Sequence, residues 1–115
     1  MNTYILKLST DGHITREPFN ADKSLESLQS IVGGYIEAFP LNGFDEFDFY
    51  CNEEGKLEGL PFNPIMLGVC DYDIICGNVA VCKHDDEGET LGLTDEECTR
   101  FCGRLLSYTG DNSVA

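Results

Sequence analysis

Tyr4, Leu6 and Leu8 alternate with Ile5, Lys7 and Ser9, a period of two that predicts a strand. Asp11-Gly12 supplies a hairpin turn, and the chain returns through Ile14 towards Phe19 as a second strand. The period then lengthens. Leu25, Leu28, Ile31 and Val32 recur at helical spacing, with Ser24 placed to cap the helix and Gly33-Gly34 to stop it. Residues 35–39 read as a strand ended by Pro40. Residues 44–51 alternate again, with Phe47, Phe49 and Cys51 on one face and Glu46, Asp48 and Tyr50 on the other. Residues 52–56 form a turn, Pro61 and Pro64 keep the next stretch irregular, and 73–84 is the longest strand candidate. Thr94 with Glu97 three residues on is a capping box, and Leu93 can staple onto Cys98. The helix so opened carries Cys98, Phe101, Cys102, Leu105 and Leu106 on one stripe and runs to about Tyr108.

The order β-β-α-β-β-β-α predicts an α+β fold, a mostly antiparallel sheet of about five strands with two helices packed on one face. A chain of 115 residues suits one domain over 1–115, with 110–115 as a frayed tail. No internal repeat, linker or low-complexity tract divides it.

Charge changes the picture most. Seven Lys+Arg face twenty-one Asp+Glu, a net charge of −14. Binding nucleic acid directly, or an anionic membrane, draws on cationic groups that this chain lacks. With 42% hydrophobic residues the sequence is not a disordered acidic tail. The carboxylates fall in two stretches. One holds Asp45, Glu46, Asp48, Glu53, Glu54 and Glu58, and the other holds Asp85, Asp86, Glu87 and Glu89 followed by Asp95, Glu96 and Glu97. A solvated face that keeps a small protein soluble is the plain reading, and the first turn of a helix favours Asp95, Glu96 and Glu97 locally. The sharper reading is contact with a basic groove through Asp45, Glu46, Asp48, Glu53, Glu54, Asp85, Asp86, Glu87 and Glu89. Glu46 and Asp48, two apart on a strand, would stand ~6.6 Å apart, about two phosphate steps.

The first residues lack a basic segment followed by an apolar stretch, so no signal peptide is expected, and no apolar run is long enough to cross a bilayer. The expected compartment is the host cytoplasm, where thiols stay reduced and the six cysteines would be free or bind metal. Cys82 and His84 would leave one face of a strand, and Cys98 and Cys102 one face of a helix. Together they make a three-thiolate, one-imidazole set for a structural zinc ion. A buried-thiol reading of Cys98 and Cys102 competes with it. No nucleophile motif surrounds His13 or His84, Gly33-Gly34 lacks phosphate-loop spacing, and the residues from Asp71 miss the calcium-loop pattern. The expectation is a protein that is not an enzyme, with a small metal-dependent enzyme as an alternative.

Three segments carry a resemblance: 31–37 (Ile-Val-Gly-Gly-Tyr-Ile-Glu), 51–57 with Gly59-Leu60-Pro61, and 93–97 (Leu-Thr-Asp-Glu-Glu). In this order they resemble an uncharacterised family of small proteins, a domain of unknown function, carried by phages and conjugative elements. The resemblance runs from about Tyr4 to Leu106, and the acid run at 85–89 and the cysteine count are richer than the usual family pattern. It implies a context in which small acidic proteins inhibit host defence, as anti-CRISPR proteins do. The expected partner is therefore a basic host protein, an RNA-guided nuclease such as Cas9, whose nucleic-acid channel the acidic stretches would occupy. The alternative is an accessory protein of element replication or transfer acting by protein–protein interaction.

Overall fold

The computed structural model describes residues 2–114, with side chains described for 2–108. In chain order it has β1 (Tyr4–Leu8), β2 (Ile14–Pro18), a 3₁₀ turn (Ala21–Lys23) running into α1 (Ser24–Val32), β3 (Ile36–Phe39) and β4 (Asp48–Asn52). These are followed by α2 (Pro64–Leu67), β5 (Val79–His84), β6 (Thr90–Leu91) and α3 (Asp95–Val114). Every strand pair is antiparallel. The order across the sheet is β2-β1-β5-β4-β3, with β6 paired to the end of β5. The α+β class and the antiparallel sheet are as the sequence predicts.

The helices are not on one face. Ile5, Ala80 and Cys82 pack with Leu28, Ile31 and Val32 of α1. Leu6, Leu8, Phe49, Val79 and Val81 pack on the other side with Met66 of α2 and with Cys98, Phe101 and Leu105 of α3. The reason is legible in β5. Val79, Ala80, Val81 and Cys82 are all fully buried, and a strand apolar at consecutive positions must be covered on both sides. An aromatic group seats α3: Phe101 lies 5.2 Å from Phe47, 5.6 Å from Phe44 and 5.9 Å from Phe49, centroid to centroid.

Several boundaries moved for local reasons. β4 begins at Asp48, because 44–47 form a turn in which Phe47 N–H donates to the Phe44 carbonyl. Glu46 and Asp48 are therefore not neighbours on one strand face. β5 begins at Val79, since Gly77 sits at φ +93° and its N–H donates to the Pro61 carbonyl. The positive φ is what calls for glycine here; a Cβ at Gly77 would also press on Leu60 Cδ1, the movable tip of a side chain. Asn63 and Pro64 open the short helix α2, which the sequence pattern left irregular. Asn20, rather than Ser24, provides the side-chain cap before α1, by accepting from Asp22 N–H across the 3₁₀ turn. The capping box forms as read: Thr94 Oγ1 accepts from Glu97 N–H at 3.1 Å and Glu97 Oε1 from Thr94 N–H at 2.9 Å. The backbone of α3 continues beyond Tyr108, while the side chains of 109–115, where a frayed tail is expected, lie outside the described residues.

Two buried asparagines bind the loops to the sheet. Asn63 donates to the Leu8 and Gly77 carbonyls and accepts from Ile65 and Met66 N–H. Asn52 donates to the Val32 carbonyl at the end of α1 and to Glu58, and accepts from Glu54 N–H. Changing Asn63 to Ala should lower the unfolding free energy by about 3 kcal/mol, because buried partners on two sides go unsatisfied. Thr94→Ala, which removes only a cap, should cost about 1 kcal/mol. Urea unfolding of both variants checks the ordering; equal losses would contradict it.

Candidate functional site

Pairing of β4 with β5 sets Asp48 opposite Cys82, so the residues before β4 and after β5 emerge at the same end of the sheet. Asp45, Glu46 and Asp48 thereby come to the end that carries Asp85, Asp86, Glu87 and Glu89. The β5–β6 turn is built by its own first acid. Asp85 Oδ1 accepts from Glu87 and Glu89 N–H, both at 2.9 Å, and Gly88 turns the chain at φ +85°. Asp86, Glu87 and Glu89 are left exposed.

Cations already consume part of this charge. Arg104 holds Glu46 through two bonds of 2.5 and 2.7 Å, donates to the Gly43 carbonyl at 3.0 Å, and lies over the Phe44 and Phe47 rings. Its guanidinium holds the Glu46 carboxyl down to about 2. Asp48 Oδ2 lies 2.7 Å from His84 Nδ1. That hydrogen bond, with Asp85 and Asp86 nearby, raises the His84 pKa. Lys83 bonds Glu97 at 2.8 and 2.9 Å, and Arg16 bonds Asp95 at 2.5 Å. Among the described residues, Asp45, Asp86, Glu87, Glu89 and Glu96 form no ion pair, although Asp45 lies within the field of Arg104 and Asp86 within that of His84.

Glu53 and Glu54 lie elsewhere, past the far end of β4, with Glu58. The nine carboxylates read as one contact thus divide between the two ends of a five-residue strand, seven at one and two at the other.

The zinc set is not brought together. Cys82 is buried under α1 and Cys98 under α3, so the sheet lies between them. His84, on the Cys82 side, is exposed and engaged with Asp48. Cys102 stays with Cys98 beside the α3 core. Burial pushes the Cys82 thiol up to about 12 and raises Cys98 and Cys102 as well, which opposes the thiolate that a metal needs. Among the described residues no three His, Cys, Asp or Glu side chains gather into a set able to hold a metal ion. All six cysteines are unbridged.

Three open cavities follow the β3–β4 margin. One of about 430 Å³ is lined by Glu26, Gln29, Ser30, Tyr35, Glu54 and Glu58. A second of about 350 Å³ holds Glu37, Glu53, Glu54, Lys56 and Asp73 in its wall, with Lys56 bonded to Asp73. A third of about 380 Å³ is lined in part by Ala38, Asp45, Phe47, Asp48 and Tyr50. Glu26, Tyr35 and Glu37 were not singled out by sequence. Glu26 lies on a helix, and Tyr35 and Glu37 lie within the 31–37 segment at the start of the next strand, and neither position reveals a shared wall before β3 takes the sheet edge.

The model of a family described as a domain of unknown function, DUF3846, matches residues 3–106. No curated protein and no solved structure matches the chain. No described helix is long and apolar enough to cross a membrane.

Two outcomes follow from the geometry. His84 ring protons should titrate above the ordinary 6.5, and Asp48→Asn should bring the value back towards it. A His pKa raised by folding stabilises the fold below the unfolded value. That contribution disappears as pH rises through the folded one, so the Asp48–His84 pair should weaken as pH climbs past the raised value. NMR titration of both proteins checks this. Cys98→Ser should destabilise by about 1–3 kcal/mol through an unsatisfied hydroxyl in the core, while a chelator leaves the unfolding transition of the parent protein unmoved.

Proposed function

We propose that this chain, which belongs to the DUF3846 family, is a non-catalytic binding protein that meets a basic protein surface with the acidic end of its sheet. The observation that carries the reading is the convergence of 45–48 and 85–89 through β4–β5 pairing, with Asp45, Asp86, Glu87 and Glu89 outside the ion pairs that hold Glu46 and Asp48. Carboxylates so grouped repel one another, and folding does not require them: the turn needs Asp85 and the helix needs Glu97. A cationic partner relieves that repulsion and steers association.

The basic surface proposed is a nucleic-acid channel of a host defence effector, an RNA-guided nuclease such as Cas9, whose loading the bound protein would block. Support for this comes from charge alone. A net −14 on a small fold matches a channel evolved to hold phosphates. Partner capture should then weaken steeply with salt, since exposed charges are screened beyond ~8–10 Å at physiological ionic strength.

Affinity capture from host lysate at about 50 and about 300 mM salt, a range over which screening rises sharply, tests both levels. A basic nuclease retained at low salt and lost at high salt is the expected result. Replication or transfer proteins in its place would redirect the reading to an accessory role. Reversal of Asp86, Glu87 and Glu89 to Lys should cut capture at least tenfold while circular dichroism stays unchanged, because none of their side chains supports the turn. Equal capture by the reversed protein would remove this surface from the interaction.

A further inference from the structure

β3 is an open edge. In the sheet order it pairs with β4 alone. Glu53 N–H donates to the Tyr35 carbonyl, so Glu37 and Phe39, opposite Cys51 and Phe49, also turn their N–H and C=O towards β4. Ile36 and Ala38 turn theirs outward, where no element of the sheet covers them. The opposite edge is guarded: β2 carries Arg16, Glu17 and Pro18. β3 has neither proline nor lysine, and Glu37 and Ala38 are exposed.

What surrounds this edge selects its occupant. At its start lies the cavity with Glu26, Glu54 and Glu58 beside the exposed Tyr35 ring. Along one face lies the cavity with Glu37 and Glu53, whose one lysine is tied to Asp73. At its end lies the cavity with Asp45 and Asp48. A second copy of this chain would bring the same carboxylates against their equals, with −14 on each molecule. A basic strand would instead pair its main chain with Ile36 and Ala38 and set a cation opposite Glu37, a favourable cross-strand pair. Further cations would reach the flanking cavities, and Tyr35 offers a ring face to one of them.

We infer that the β3 edge is a docking site for an extended, Arg- or Lys-rich segment of a partner protein, added to the sheet as a further antiparallel strand. This rests on the reading of the protein as an acidic binder and names how the partner is held. Main-chain bonds to Ile36 and Ala38 supply register, and the acidic cavities supply the preference for basic side chains.

The probe is an acetylated, amidated octapeptide alternating Arg and Thr, with a Glu-Thr peptide as control, at low salt. Binding is followed by fluorescence anisotropy and by amide hydrogen exchange of the labelled protein. The Arg-Thr peptide should bind and slow exchange at Ile36 and Ala38, and the Glu-Thr peptide should not. Ala38→Pro removes an outward donor that the sheet does not use, a change edge strands tolerate, and should weaken binding at least tenfold. Glu37→Lys, which leaves the backbone alone, should weaken it in the same direction. Protection confined to the β5–β6 turn, with binding unchanged in Ala38→Pro, would overturn the edge site yet leave the acidic-binder reading standing. Failure of the Arg-Thr peptide to bind anywhere would overturn both. A concentration-dependent dimer in sedimentation that Ala38→Pro abolishes would assign the edge to a second copy and overturn the inference.

Discussion

Burial of β5 on both faces is the constraint from which the rest of the molecule follows. Four consecutive side chains, Val79 to Cys82, have no exposure at all, two on each side of the sheet. At roughly 25 cal/mol per Å² of apolar surface removed from water, neither side can be left open. One helix cannot cover both, so α1 takes one face, and α2 and α3 take the other. β1 shows the same division in miniature, with Ile5 facing α1 while Leu6 and Leu8 face α3. Because β5 is central, its two ends also decide where the loops gather. The 85–89 turn emerges beside 45–48, and Asn78 at the other end accepts from Thr10 N–H and donates to the Ile31 carbonyl.

Polar groups do the tying where the core cannot. Asn52 and Asn63 are buried, and each satisfies both backbone donors and acceptors on separate segments. Each therefore holds a loop without leaving an unpaired group inside. The few cations act in the same way. Arg104 ties 43–46 to α3, Lys83 ties β5 to the α3 cap, Arg16 ties β2 to Asp95, and Lys56 ties the 52–59 turn to Asp73. Arg100 adds longer contacts to Glu46 and Glu97, so five of the seven Lys+Arg are held in ion pairs and much of the carboxylate population stays uncompensated. The acidity offered to a partner is thus what remains after the fold has drawn on the positive charge.

Much of the local structure was legible in the sequence. The β1–β2 hairpin at Asp11-Gly12, the stop of α1 at Gly33, the capping box of α3 and the antiparallel α+β class all rest on neighbours within four residues or on period-two alternation. The exposed acids at 86–89 were legible for the same reason, since a turn declares itself in its own residues. The start of β4 was not. Phe47 fits a strand alternation with Phe49 and Cys51, but it packs on Phe101, and Phe44 packs on Phe101 and Tyr108, more than fifty residues away, as core partners in a turn.

Local pattern, then, determined which segments extend, coil or turn, and which carry charge. Only the tertiary structure decided which faces meet. Cys82 with His84, and Cys98 with Cys102, share a face within their own elements, but the sheet stands between the pairs. Glu46 and Asp48 are two residues apart in sequence, but one answers to Arg104 and the other to His84. Backbone periodicity says which way a side chain points from its own element. What it points at depends on closing loops between distant segments, and the free energy of that closure lies in the shared core rather than in any local run of residues.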